Sequence, residues 1–202
     1  MATKSRRAFV VDASVLRAAG TSAHPTSSAC GELLMQVLHV CHHAAFNASL
    51  VKEWECHGSH FSMTWRAAMT SRGKMVDLKI WIPVWKRPSR RSPENCIHWL
   101  VRTIHLVALA IARGQCVVSL DGKARGAFRQ ASSTDKRLED VMWVDPVNIS
   151  DAMRPWLAAG APRRQPFLLS SASDPPRRPS RRTPDGNSRR PGSPGAARAG
   201  VR

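Results

Sequence analysis

The chain has 202 residues, 43% of them hydrophobic, with 31 Lys and Arg against 14 acids and a formal net charge of +17. That length allows one domain with a sizeable core plus an appendage, and the charge favours polyanionic partners, nucleic acid ahead of an acidic membrane surface. Five scattered cysteines without a C-x-x-C pair exclude a disulfide framework, and the longest apolar stretch, "WLVRTIHLVALAIA", is too short to span a membrane and carries Arg102 and His105.

The first apolar run, residues 8–12, predicts a strand that stops on an acid, Asp12. Ionised side chains are rarely buried unless they are paired or hold a metal. Asp12 therefore reads either as the N-cap of a short helix closed by Gly20 or as a ligand. Turn and capping residues follow in "TSAHPTSSACGE". From Cys30 the spacing of Leu33, Leu34, Val37, Leu38 and Cys41 predicts one apolar helical face. "HHAAFNASLV" has room for a very short strand. A single helix is expected over 49–71, with Gly58 its weak point.

"MVDLKIWIPVWKRP" is ambiguous between strand and loop, since Pro83 argues against a central strand. "KRPSRRSP" reads as a basic loop. Residues 94–113 predict a buried helix, apolar nearly all round and stopped by Gly114. "QCVVSLD" predicts a second strand that also ends on an acid, Asp121. A short helix over 122–132, a strand in "EDVMWVDP" and a last helix near 150–159 complete the pattern. Short apolar strands separated by helices imply an α/β domain with a parallel sheet, over residues 1–162. Residues 161–202 hold ten Arg, two Asp and eight of the fourteen prolines. Residues 163–202 are therefore expected to form a disordered basic tail rich in Arg, Pro and Ser.

In parallel α/β sheets, ligands sit beyond the carboxyl ends of the strands, where chain order switches. Asp12 and Asp121 both fall there. Two carboxylates at one sheet edge repel unless a cation lies between them, and hard divalent ions favour such oxygen donors. Glu53, in "VKEWECH", is the third acid expected in that region, with Glu55 directed to the opposite side of its helix. The Cys and His groupings "CHH" and "ECHGSH" match no structural zinc template. His57 and His105 read as core or near-site residues. Trp65, Trp99 and Trp143 read as core, and Trp81 and Trp85 as base-stacking candidates. No glycine-rich phosphate loop occurs. Ser14 stands where a dehalogenase-type phosphotransferase needs a second Asp.

"FVVDASVL" resembles the first strand of the PIN-domain nucleases. "VKEWECHGSHFSMTWRAAMTSRGK" is similar to the Glu-bearing helix of a PIN-like, toxin-type subgroup. "HLVALAIARGQCVVSLDGKARGAF" resembles that family's long helix, next strand and terminal acid, and "VMWVDPV" with "WLAAGAP" its closing segment. The resemblance covers residues 8–162. It implies a three-layer α/β/α fold around a small parallel sheet, and a Mg²⁺- or Mn²⁺-dependent endoribonuclease in the cytoplasm. Carried over by position, Asp12, Glu53 and Asp121 are the metal-binding and catalytic acids, and Ser14 is a hydroxyl beside Asp12. Lys86, Arg87, Lys123 and Arg125, with Ser14, are the expected contacts to nucleic acid.

The implied partners are RNA, an antitoxin protein over the acidic pocket and a second copy of the chain, with no membrane partner. Where the family carries a further acid, in the long helix, this chain has Thr103. Asp135 and Asp140 are candidates for the missing charge. The alternative reading is a catalytically degenerate PIN-like domain that binds RNA or protein.

Overall fold

The computed structural model describes residues 6–79, 94–114 and 116–171, with the side chains of 94–102 outside that description. The first strand, β1 (Ala8–Val11), leads through α1 (Ala13–Ala18) and α2 (Pro25–His39) to β2 (His43–Phe46). Next come α3 (Ala48–His57), α4 (His60–Ser71) and β3 (Met75–Asp77), then the long helix α5 (Glu94–Ala112). β4 (Cys116–Val118), α6 (Gly122–Ser132), β5 (Met142–Val144) and α7 (Met153–Ala158) follow. The five strands form one sheet in the order β3-β2-β1-β4-β5, and every pairing is parallel.

β1, β4 and β5 are buried at every position. Side chains alternate between the two faces of a strand, so burial throughout means that helices cover both faces. By contact α1, α2, α3, α4 and α7 pack among themselves, while α5 packs on α6 and across β1, β2 and β4 and meets α3. That arrangement is an α/β fold consistent with three α/β/α layers.

Three expectations change. The helix expected over 49–71 breaks into α3 and α4, because Ser59 starts a new helix by accepting from Ser62 N–H (3.2 Å) and ties the break to α1 through Ala19 C=O (2.6 Å). The ambiguous segment at 75–77 is the edge strand β3, which is only half-buried and so shows no clean apolar run. The packed unit also runs beyond 162. Phe167 and Leu169 lie in the core, and Leu169 N–H donates to Val141 C=O at 2.9 Å, so 163–171 belong to the domain. The remainder of the expected tail lies outside the described residues, as do Lys86, Arg87, Trp81, Trp85 and the Trp99 side chain.

Trp65 and Trp143 sit in the core as expected. Burial pushes the Cys30 and Cys116 thiols up to about 12, so both stay protonated and pack as small apolar groups. His42 is a structural histidine. Its Nδ1 accepts from Arg7 N–H (3.1 Å), which leaves Nε2–H to donate to Leu157 C=O (2.9 Å) and fixes the neutral tautomer.

Burial, and then the positive charges of Arg7, His43 and Lys74, hold His42 below its ordinary 6.5, against the opposing pull of the Leu157 carbonyl. The unfolded chain therefore takes up this proton before the folded one. The stability is complete above about pH 6.5 and drains away as the pH falls through the lower folded value. The denaturation midpoint should drop between pH 7.5 and 5.5, and His42→Gln should flatten that slope. His43, also held low by burial and by Arg6, Arg113 and Lys74, supplies a remainder of the same sign.

Candidate functional site

The parallel order 3-2-1-4-5 reverses direction beside β1, so the carboxyl ends of β1 and β4 flank the switch point. Asp12 follows β1 directly, and its N–H extends the ladder to Val118 C=O (2.9 Å). Its carbonyl starts α1 by accepting from Val15 N–H at 3.0 Å. The backbone is thus an N-cap, yet the carboxylate caps nothing. Instead Oδ2 accepts from both the Ser14 and Ser119 hydroxyls, each at 2.6 Å. Asp12 is 8% exposed, and these two short charge-assisted bonds explain how an acid is tolerated there.

The two hydroxyls are themselves held. Ser14 Oγ accepts from Leu120 N–H (3.2 Å), and Ser119 Oγ accepts from Asp121 N–H (3.0 Å). A chain of four hydrogen bonds therefore joins the end of β1 to the turn after β4. Asp12 is the centre of it, and Ser119, not among the residues expected from the sequence, links it to Asp121. The available signal was a hydroxyl two residues before the second strand-end acid.

Asp121 does cap its helix. Oδ1 accepts from Lys123 N–H (3.0 Å) and Ala124 N–H (2.9 Å), which starts α6 at the carboxyl end of β4. Glu53 arrives from α3, which Trp54 anchors by donating Nε1–H to Val11 C=O (2.9 Å), the last carbonyl of β1. Glu53 Oε2 lies 3.4 Å from His105 Nε2 on α5, off the line of a ring N–H bond, and that buried nitrogen has no hydrogen-bond partner among the described residues.

Asp12, Glu53 and Asp121 line one cleft of about 290 Å³, with Ser14, Thr103 and His105. Arg17 and His57 complete its rim. The fold engages one oxygen of Asp12 and one of Asp121, Oδ2 and Oδ1 respectively, while Glu53 Oε2 only approaches His105. Among the described residues the other oxygen of each accepts no hydrogen bond. Three hard oxygen donors on one cleft are the donor chemistry that Mg²⁺ and Mn²⁺ take. The same residues do not form a closed cage: among the described residues, no three His, Cys, Asp or Glu are gathered closely enough to hold an ion. Mg²⁺ sites use one or two carboxylates and keep several waters, so the donors fit such an ion without a cage.

The other acids stay out. Glu55 is exposed and pairs with Arg66 (3.2 Å), on the far side of α3 as expected. Asp135 pairs with Arg137 and Asp140 with Arg163, and neither is among the residues that line the cleft with Thr103. Among the expected nucleic-acid contacts, Lys123 lies exposed on the first turn of α6, beside the cleft's Asp121. Arg125 is different. It is buried at 8% exposure and donates Nη2–H to Pro166 C=O (2.8 Å), so it clamps the closing segment of the domain. Its register beside Ala124 and one turn before Phe128, both buried, was the sequence signal for this role. The cleft-lining Arg17 was not anticipated.

No helix among the described residues is long and apolar enough to cross a membrane. The chain matches no protein-family model, no curated protein and no solved structure.

Proposed function

We propose that the cleft is the site of a metal-dependent endoribonuclease of the PIN-like type. One observation carries this reading: three carboxylates from separate segments line a single cleft at the switch point, Asp12 and Asp121 with one oxygen held by the fold, and each of the three with an oxygen that accepts no hydrogen bond among the described residues. A divalent ion bound there lowers the pKa of a bound water and offsets charge on the phosphate oxygens. Asp12, held by two hydroxyls, is the most rigid of the three donors. Asp121 is fixed by the start of α6, and Glu53 by the Trp54 anchor. Arg17 and Lys123 supply positive charge for the RNA backbone, so binding is salt-sensitive and largely independent of sequence. A cytoplasmic toxin covered at the cleft by a small antitoxin protein is the setting that this reading favours.

A second reading rests on Thr103, which lines the cleft where the family resemblance expects an acid. On that reading the domain is degenerate and binds RNA or protein without turnover. One labelled single-stranded RNA separates the two. Cleavage in Mg²⁺ or Mn²⁺ that stops with a chelator supports the nuclease. Salt-dependent binding with no product supports the degenerate module, and neither binding nor cleavage removes both.

A further inference from the structure

β1 ends at the acidic cleft and begins at a second cavity, of about 440 Å³, four strand residues or roughly 13 Å away. This cavity is lined by Arg6, Arg7, His43 and Arg113, with Val76 and Ile111 as apolar walls. Among the described residues, no acid lines it. Arg7 is locked in place. Its N–H donates to His42, its C=O accepts from His43 N–H (3.0 Å), and its Nη1–H donates to Gly114 C=O (2.9 Å). Arg6 and Arg113 are exposed and, among the described residues, form no hydrogen bond or ion pair with their side chains. The His43 ring likewise makes no hydrogen bond there.

Among the described residues, the charges acting on His43 are those of Arg6, Arg113 and Lys74, all positive. Like charges held together without a counter-charge raise the energy of the folded state, and a bound anion relieves it. Guanidinium groups bind phosphate oxygens in pairs, and three of them with an imidazole match a tetrahedral dianion better than the two oxygens of one carboxylate. The apolar walls suit a sugar or base attached to that phosphate.

We propose that this cavity, formed by Arg6, Arg7, His43 and Arg113 at the amino ends of β1 and β2, is a binding site for a nucleotide phosphate. The phosphate comes either from a free nucleotide, as a dianionic monoester, or from an RNA strand, as a monoanionic diester; guanidinium groups bind the oxygens of both. The site is independent of the cleft, and its failure leaves the nuclease reading untouched.

The test is a titration of the full chain with adenosine monophosphate, followed through the His43 ring signals by NMR. Saturable binding that shifts the His43 titration to higher pH supports the site. Affinity should fall about tenfold or more for each guanidinium removed in Arg6→Ala and Arg113→Ala, both exposed positions whose loss leaves the core intact. Displacement of the nucleotide by a short RNA lacking terminal phosphates supports the site and assigns it to a backbone phosphate. Failure of that RNA to displace it assigns the site to a free nucleotide. Sodium chloride giving the same shift at matched ionic strength, or unchanged affinity in the double variant, overturns the proposal. A glutamate-rich peptide that binds more tightly than the nucleotide also overturns it, in favour of an acidic protein partner.

Discussion

Asp12→Asn is expected to cut metal-dependent RNA cleavage by about 10²–10³-fold with little change in folding. The amide is isosteric, and its oxygen still accepts from the Ser14 and Ser119 hydroxyls that now hold Oδ2 at 2.6 Å. What is lost is the charge and the second oxygen, the one without a partner. Asp12→Ala is a harsher change, because it strands two part-buried or buried hydroxyl donors and should cost about 1–3 kcal/mol of stability for each left unsatisfied. Initial rates at saturating metal and a urea midpoint for both variants separate chemistry from folding. Asp121→Asn is a useful companion, since Asn caps a helix about as well as Asp and α6 should keep its start. Glu55→Gln, outside the cleft, should cleave as the parent does. A double Asp12→Asn, Asp121→Asn chain that retains the parent rate would remove these acids from the chemistry.

The largest stability effect belongs to Gly114→Ala. Gly114 ends α5 at φ +84°, and a Cβ there would stand 2.1 Å from Ala8 C=O, a backbone atom of the central strand that cannot move aside. The cost should exceed about 4 kcal/mol, a large part of the 5–15 kcal/mol typical of a domain. Gly73 provides the comparison. It is also left-handed, at φ +62°, but a Cβ there meets nothing within 4 Å. Gly73→Ala should therefore cost only the backbone strain, about 1–2 kcal/mol. Urea midpoints of the two variants test whether steric collision or dihedral strain dominates at the end of α5.

What could be read in the sequence was set by how strongly each segment is buried. β1, β4 and β5 are buried on both faces, so they appear as continuous apolar runs, and α5 reads as a long apolar helix. β2 has only Ala44 and Ala45 fully buried, and β3 none of its residues, so neither gives a firm signal. Residues 163–171 sit in an Arg- and Pro-rich stretch, where composition hides the two side chains, Phe167 and Leu169, that join the core. The strand-end acids were legible because a charge at the end of an apolar run demands a partner. The partners themselves were not. Ser119 reaches Asp12 from 107 residues away, and Arg125 meets Pro166 from 41, contacts that no local pattern encodes.

The central place of β1 also governs how the chain acquires its shape. Val10 and Val11 pair with Val117 and Val118, so the strand synthesised first waits for one of its two neighbours until most of the domain has left the ribosome. Such non-local pairing makes for slow folding, and until β4 docks, one flank of β1 is an open template for another nascent chain. A chain cut short before β4 should therefore be captured by chaperones or aggregate, and the acidic cleft gains Asp121 only when β4 docks.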